Sequence, residues 1–388
     1  MTPFPRVALL AAEAVTALGD GLDATFAALL EGRTAVGPVR GFDASGFGEP
    51  CAAQAVEPPA GPTPDGPTRV VTPHGAVIDR VARAVHDAAR GEALPREAIG
   101  MFLAMGMVDS PPDALAPAIL ASRDEAGTFS FPRFFDGGFR SIHPHWPLRM
   151  LNNVAVGQLA ADLDVRGDNL VLSCEADAGV RAIGEAVEAI RIGSVRAAIA
   201  GGVSERVSAA SLARSALRGT PGEAIGEGGA AVWLEDEASA AARGMAPLAF
   251  VLGTGSAFGG SEDGAGPSAD AVVRAARAAL DDAGLTADDV GAVVTDGTGP
   301  AEAEARRLLF GARRSAVAVV APPVAIGHLS AGAPSVAVAL AVRMLAAGKA
   351  PSMAAGRPRA LKPGKAVLVL ASASGGGAGA IVVTGAPR

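Results

Sequence analysis

The stretch that most constrains this chain is 169–193, NLVLSCEADAGVRAIGEAVEAIRIG. Its first five residues form a short apolar run of the kind that makes a buried strand. From Asp177 the period changes: Val180, Ile183, Val187 and Ile190 fall on one helical face, and Gly193 stops the helix. A strand that runs through a tight turn into a helix points its turn residues at the helix N-terminus. There the partial positive charge favours an anion and lowers the pKa of a thiol. Such elbows carry the nucleophile in many enzymes. Here the position where a nucleophile is expected is Ala176, which has no chemistry to offer.

The rest of the chain alternates in the same way. Strands are expected at 6–12, 99–107, 195–202, 230–234, 248–253, 290–294 and 316–320, with a last hairpin of 366–370 and 380–383 around SASGGGAG. Helices are expected at 22–30, 77–89, 152–163, 270–283 and 336–347, and 41–67 is rich in Gly, Pro and Ala, as surface loops are. Alternating strands and helices in two similar halves imply an α/β layered fold with buried sheets. The halves divide as 1–236 and 237–388, and with no flexible linker between them they are expected to form one compact unit. The segment 129–151, FSFPRFFDGGFRSIHPHWPLRML, stands apart: it holds five of the 13 Phe, one Trp and two His.

Composition removes several function classes. A net charge of −7 and a pI of about 5.4 argue against nonspecific nucleic-acid binding. No N-terminal stretch has the form of a signal peptide and no apolar run is read as long enough to span a membrane, so a cytoplasmic protein is expected. Two cysteines, Cys51 and Cys174, make neither a disulfide framework nor a zinc site. His143 and His145 are the only close histidine pair and no further ligand follows at short spacing, so no metal site is expected. GTGSAFGG at 253–260 lacks the flanks of a phosphate-binding loop.

Several stretches taken together resemble the β-ketoacyl synthases of the thiolase-like fold: VTALG, FDAS at 42–45, LNN at 151–153, CEADAGVRAIGEAVEAIRIG, IAGGVSE, GEAIGEGGAAVWLE, DGTG, IGHLSAGAPS and the Gly-rich hairpin. Their order and spacing carry the resemblance across nearly the whole chain. It implies two similar βαβαβ-type halves in a layered αβαβα core. Active members condense acyl chains with malonyl groups on acyl carrier protein, using a cysteine, two histidines and a lysine and no cofactor. Carried over residue by residue, the cysteine position is Ala176, the first histidine is Asp296, the lysine is Pro323, and the second histidine survives as His328. Ser372 and Ser374 stand roughly where a gating phenylalanine is expected. Three of the four catalytic positions are lost.

Glu175, Gly179 and Asp296 in this setting look like the chain-length-factor subunits of type II polyketide synthases, and PHWPLRMLNN at 144–153 is similar to ketosynthase-like proteins of polyene pathways. Two departures stand out: many chain-length factors carry glutamine at the Ala176 position, and they usually lack a histidine at that of His328. The resemblance implies a catalytically degenerate subunit that pairs with an active ketosynthase and shapes an acyl tunnel for chains on acyl carrier protein. Phe129, Phe131, Phe134, Phe135 and Trp146, with Glu175, are then tunnel or interface candidates, although ordinary packing explains the aromatic residues equally well. Two rivals remain: a repurposed acyltransferase or malonyl decarboxylase using His328 and Cys174, and a homodimeric carrier-protein-binding scaffold. Cys174 lies two residues before the nucleophile position, about 6–7 Å back along a strand. It is a rescued nucleophile or a buried thiol. Asp296 is expected to accept backbone N–H groups of its GTG turn, His328 to cap its own turn or to serve as an oxyanion donor, and Glu175 to be either a buried acid at a subunit interface or a solvated turn residue. A cysteine placed at 176 is expected to react with iodoacetamide but not to condense.

Overall fold

The computed structural model describes residues 4–386 other than 49, 56–72, 111, 174, 218–222, 262, 263, 265, 298 and 353–356. The first part of the chain runs β1 (Val7–Thr16), α1 (Leu22–Leu30), α2 (Pro73–Ala88), β2 (Ile99–Met105), α3 (Asn152–Asp162), β3 (Asn169–Ser173), α4 (Ala176–Arg191), β4 (Ala197–Val203) and β5 (Gly228–Asp236). The second runs β6 (Ala249–Phe258), α5 (Ala269–Asp282), β7 (Val290–Thr295), α6 (Pro300–Phe310), β8 (Ala318–Val320), α7 (Ala333–Ala347), β9 (Ala366–Ser372) and β10 (Gly377–Gly385).

The strands join in the order β8-β7-β9-β10-β6-β1-β5-β4-β2-β3. Each half repeats one pairing scheme. β2 lies parallel between β3 and β4, β4 runs antiparallel to β5, and β5 antiparallel to β1. Likewise β7 lies parallel between β8 and β9, β9 is antiparallel to β10, and β10 antiparallel to β6. The halves meet where β1 and β6 pair through Val7↔Val251 and Leu9↔Ala249.

Helices fill three layers around this sheet. α4 and α7 lie in the middle, and their Val180, Ile183, Val187, Val336, Leu340 and Met344 pack with strand residues from both halves. α2 and α3 cover the outer face of the first half, and α5 and α6 that of the second. The order is the αβαβα sandwich expected from the alternation. The sequence dictates it, because β2 (IGMFLAM) and β4 (AAIAGGV) are apolar at every position and are buried at every position. Strands of that kind need cover on both faces. The middle layer is crowded: a Cβ on Gly179 of α4 would sit 2.5 Å from the Ala331 carbonyl oxygen, so only glycine lets α4 approach the start of α7.

Three readings change. β3 was expected to be buried; it is instead the outermost strand, half-buried at Leu170, Val171 and Leu172 and exposed at both ends. An apolar run does not distinguish a strand covered on both sides from an edge strand with one side open. The region 41–67, expected to be loop, holds in its described part a short strand Cys51–Ala53, which pairs with Gly37–Pro38 and Ile225–Gly226. Finally, Ser330–Ala347 is long and apolar enough to cross a membrane by length and composition, but 72% of it is buried inside the protein as the middle-layer helix. Apolarity all round marks a core helix as well as a membrane span.

Candidate functional site

The C-terminal ends of β7 and β9, the N-terminus of α4 and the turn before α7 converge on a cavity of about 360 Å³. It is lined by Glu175, Asp296, Glu302, His328, Ser372 and Ser374 among others. The topology brings these residues together from positions far apart in the chain. Helix α4 starts directly after the elbow, with Glu175 at its N-cap and Ala176 as its first residue. Ala176 is completely buried in the central core. The elbow is therefore closed, which revises the expectation that a thiol at 176 would be open to iodoacetamide. Cys174 lies outside the described residues.

Glu175 is half-buried and pairs within the chain. Its Oε2 accepts the Ser374 N–H at 2.5 Å and its Oε1 the Ser374 hydroxyl at 2.6 Å. The carboxylate thus fixes the β9–β10 turn to the start of α4, which neither expectation for it foresaw. Asp296 acts in the same way on the same turn. The Ser372 N–H donates to its Oδ1 at 3.0 Å and reaches Oδ2 at 3.2 Å. The expected cap of the turn at 297 belongs to the preceding residue, since the Gly297 N–H donates to Thr295 Oγ1 at 3.1 Å. Asp296 is buried just past the end of β7, where its carboxylate meets the neighbouring strand; Thr298 of its own turn lies outside the described residues.

His328 is held from both sides of its backbone: its N–H donates to the Ala224 carbonyl at 2.7 Å and its own carbonyl accepts the Gly226 N–H at 2.9 Å. The Ser330 N–H donates to its Nδ1 at 3.2 Å, which leaves the ring proton of the neutral form on Nε2. That nitrogen is 4.0 Å from Asp296 Oδ2, beyond hydrogen-bond length. Pro323 begins a one-turn helix, Pro323–Ile326, where its missing N–H is harmless. It borders a void of about 10 Å³ beside Asp296, too small to hold a substrate group.

Glu302 was not singled out in the sequence. It is buried in the first turn of α6, where Arg306 takes its Oε1 and Oε2 lies against Gly297, with no donor in good hydrogen-bond geometry among the described residues. Nearby Thr295 spends its hydroxyl on the Gly297 carbonyl at 3.2 Å. Burial pushes the Glu302 acid up to about 7, against the pull of Thr295 and Arg306. Burial also pushes Asp296 well above the ordinary carboxylate range, and the neighbouring Glu302 charge adds to the effect. The signal was legible: Glu302 shares a helical face with Ala305 and Leu309, an acid in an apolar stripe. In sum the cavity offers carboxylates, serine hydroxyls and one imidazole. Among the described residues, no thiol, Lys or Arg lines it.

The aromatic segment lies on the surface. Phe129 stacks edge-on to Phe131 at 5.1 Å and tilted against Phe134 at 5.7 Å, and Phe134 packs against Phe135 at 5.3 Å. Phe131 and Phe135 nevertheless remain 68% and 69% exposed. Trp146 is half-buried and donates through Nε1 to Ser110 Oγ at 2.9 Å. The segment leads into α3, whose Asn152 donates to Ser173 Oγ at 2.7 Å, so it reaches the end of the open strand β3. Sequence grouped these aromatic residues; the structure keeps them together on the surface, and they are not among the residues that line the cavity.

Five-stranded halves with two helices between them define the thiolase-like class of fold. Within it, profile comparison matches the β-ketoacyl synthase N-terminal domain over residues 5–240 and the β-ketoacyl synthase C-terminal domain over 248–356. The chain belongs to the β-ketoacyl synthase family. Among curated relatives it is 29% identical over 354 residues to the actinorhodin polyketide β-ketoacyl synthase 2 of Streptomyces coelicolor, covering 85% of this chain and 83% of that one. Among solved structures it resembles the ishigamide ketosynthase/chain length factor, with TM-score 0.79 and 21% identity over 99% of this chain and 100% of that one. It also resembles AntDE:AntF, a type II polyketide synthase acyl-carrier protein in complex with its ketosynthase bound to the hexaketide, with TM-score 0.80 and 17% identity over 99% and 100% of the two chains.

Proposed function

We propose that this chain is a non-condensing, chain-length-factor-like subunit, which pairs with an active ketosynthase and shapes the acyl tunnel of a type II polyketide or polyene synthase working on acyl carrier protein. The observation that carries the reading is the elbow: the first residue of α4 is a fully buried alanine, with no thiol to hold an acyl chain. A decarboxylative condensation needs that thiolate, and donors for the enolate oxygen. Here the carboxylate of Asp296 stands where a donor is required, and Pro323 where the lysine would be. Both Asp296 and Glu175 instead hold the β9–β10 turn in place. The fold has kept its shape while its reactive groups have become ties.

Pairing is supported by the open edge of β3 and by the exposed aromatic cluster. Obligate interfaces are rich in such residues. The ishigamide and actinorhodin relatives give the reading its biochemical setting. The malonyl decarboxylase alternative is disfavoured, because the donors its enolate would need are absent at the positions held by Asp296 and Pro323. The test is co-expression with the ketosynthase encoded nearest its gene, followed by size-exclusion chromatography. A stable complex is expected. A monodisperse monomer, alone and with that ketosynthase, would overturn the reading.

A further inference from the structure

One wall of the cavity is attached differently from the rest. The helix Ala209–Leu217 lines the cavity through Ser211 and Ser215. Of its nine residues only Ser211 and Leu212 are buried, whereas α4 buries ten of sixteen. Leu217 stands 87% exposed. Leu212 packs into a small cluster with Ala52, Val207 and Ile225, separate from the main core. Apolar burial therefore holds this helix weakly, and polar ties decide whether it stays in place.

The charge-assisted ties converge on Asp109. Arg214 is the only charged residue of the helix. Its Nη1 donates to Asp109 Oδ1 at 2.5 Å and its Nη2 to Oδ2 at 3.1 Å, and Nη2 also meets Glu205. Ser208, just ahead of the helix, donates its hydroxyl to the same Oδ2 at 2.6 Å. One carboxylate thus grips the helix at its head and in its last turn. The gripping groups sit on the rigid frame. The Gly106 N–H donates to the Val203 carbonyl at 2.9 Å, and a Cβ on Gly106 would lie 2.1 Å from the Glu205 nitrogen. The chain leading into the helix is fixed as far as Val207, whose N–H donates to Glu227 Oε1 at 2.9 Å. From Ser208 onward the hold passes to Asp109. The Arg214 and Asp109 side chains keep 24% and 18% of their surface open to solvent, so dissolved salt reaches the pair.

We propose that the 209–217 helix is a cover on the cavity, clasped shut by Asp109, and that breaking the Arg214–Asp109 pair lifts it and opens the cavity at Ile225. Lifting withdraws one large apolar side chain, Leu212, from its cluster. The cover governs entry to the space beside His328 and leaves the elbow and the two ties of the β9–β10 turn untouched. The inference goes beyond the chain-length reading and does not rest on it, because opening is measured on the isolated chain.

Ile225 packs with Leu212 and lines the cavity, so a thiol placed there reports opening. The full chain carrying Ile225→Cys is treated with iodoacetamide under native conditions and read by peptide mass spectrometry, with the exposed Cys51 as reference. Adding Asp109→Asn or Arg214→Gln should speed labelling at 225 about tenfold relative to Cys51, the size expected for losing one charge-assisted tie. Hydrogen–deuterium exchange should rise in 209–217 and stay at the parental level in α4 and β4. Glu304→Gln, which removes a surface ion pair with Arg307, should change neither readout. If the clasp or reporter variants do not fold, the unsubstituted chain decides the matter. Its exchange in 209–217 should quicken between about 0.05 and about 1 M sodium chloride while that of α4 does not. Labelling at 225 unaffected by the clasp variants, exchange that rises equally along the whole chain, or exchange in 209–217 indifferent to salt would overturn the proposal.

Discussion

Under the proposed function, Ala176 and Asp296 do structural work in place of chemistry. Ala176 has no exposed surface, so a sulfur added there must find room inside the central core. In Ala176→Cys, that thiol should stay unlabelled by iodoacetamide in the native protein and label in urea, while the exposed Cys51 reacts in both. Peptide mass spectrometry reads this directly. The same variant should give no β-ketoacyl product from malonyl-carrier protein and an acyl primer, and robust product from the single change would mean the remaining site is competent after all. Glu302 makes a separate prediction. Its acid is raised to about 7 from an ordinary value of 4.5, so between those limits the folded chain holds a proton that the unfolded chain has released. Stability therefore falls as pH rises through this window, by about 3 kcal/mol for a shift of this size. Asp296 adds to the trend with the same sign. The exposed Asp43, Asp289 and Glu304 have lowered values and act only at more acid pH, where they remove stability as pH falls. Urea unfolding from pH 5 to 8 should show the decline, with a shallower slope in Glu302→Gln. A flat or rising wild-type profile would contradict the buried-acid geometry.

At the level of elements, the open strand matters most. The Met101 N–H donates to the Asp168 carbonyl at 2.8 Å, and Met101 pairs with Asn169. In a parallel ladder this phase turns the N–H of Leu170 toward β2 and that of Val171 away from it. Val171→Pro then removes a donor from the free edge while sparing the β2–β3 ladder. The variant should retain the far-ultraviolet circular dichroism of the parent and fail to join the ketosynthase. Complex formation at parental affinity would show that partners do not pair along β3. The β9–β10 turn is the opposite kind of element. It is short and Gly-rich, yet anchored at Ser372 and Ser374 by two carboxylates from other parts of the chain.

At the scale of the whole molecule, the proposed division of labour separates stability from product. Phe135 is 69% exposed, so Phe135→Ala should change the stability of the isolated chain by less than about 0.5 kcal/mol, where a core phenylalanine costs about 3–5 kcal/mol. In the complex, the same variant should shift the product length distribution more than total turnover, as read by mass spectrometry of released chains. Products unchanged, with the complex intact, would make the aromatic cluster a packing surface and remove it from the tunnel.

By itself the sequence determined the alternation of elements and the residues on which the proposed loss of chemistry rests. Continuous apolar runs at 99–105 and 197–203 required strands covered on both faces, and the change of period at Asp177 set the elbow. Ala176, Asp296 and Pro323 at the positions matched to the family's catalytic groups were legible along the chain. Tertiary structure decided what the residues around them touch. That Glu175 ties down Ser374, that Asp296 reaches Ser372, and that Glu302 is buried beside both depend on bringing together residues up to 199 positions apart. Hydrophobic period is a local property and can be read along the chain. The partner of a carboxylate is fixed only when strand ends meet, and the exposure of an apolar strand only when its place in the sheet is known.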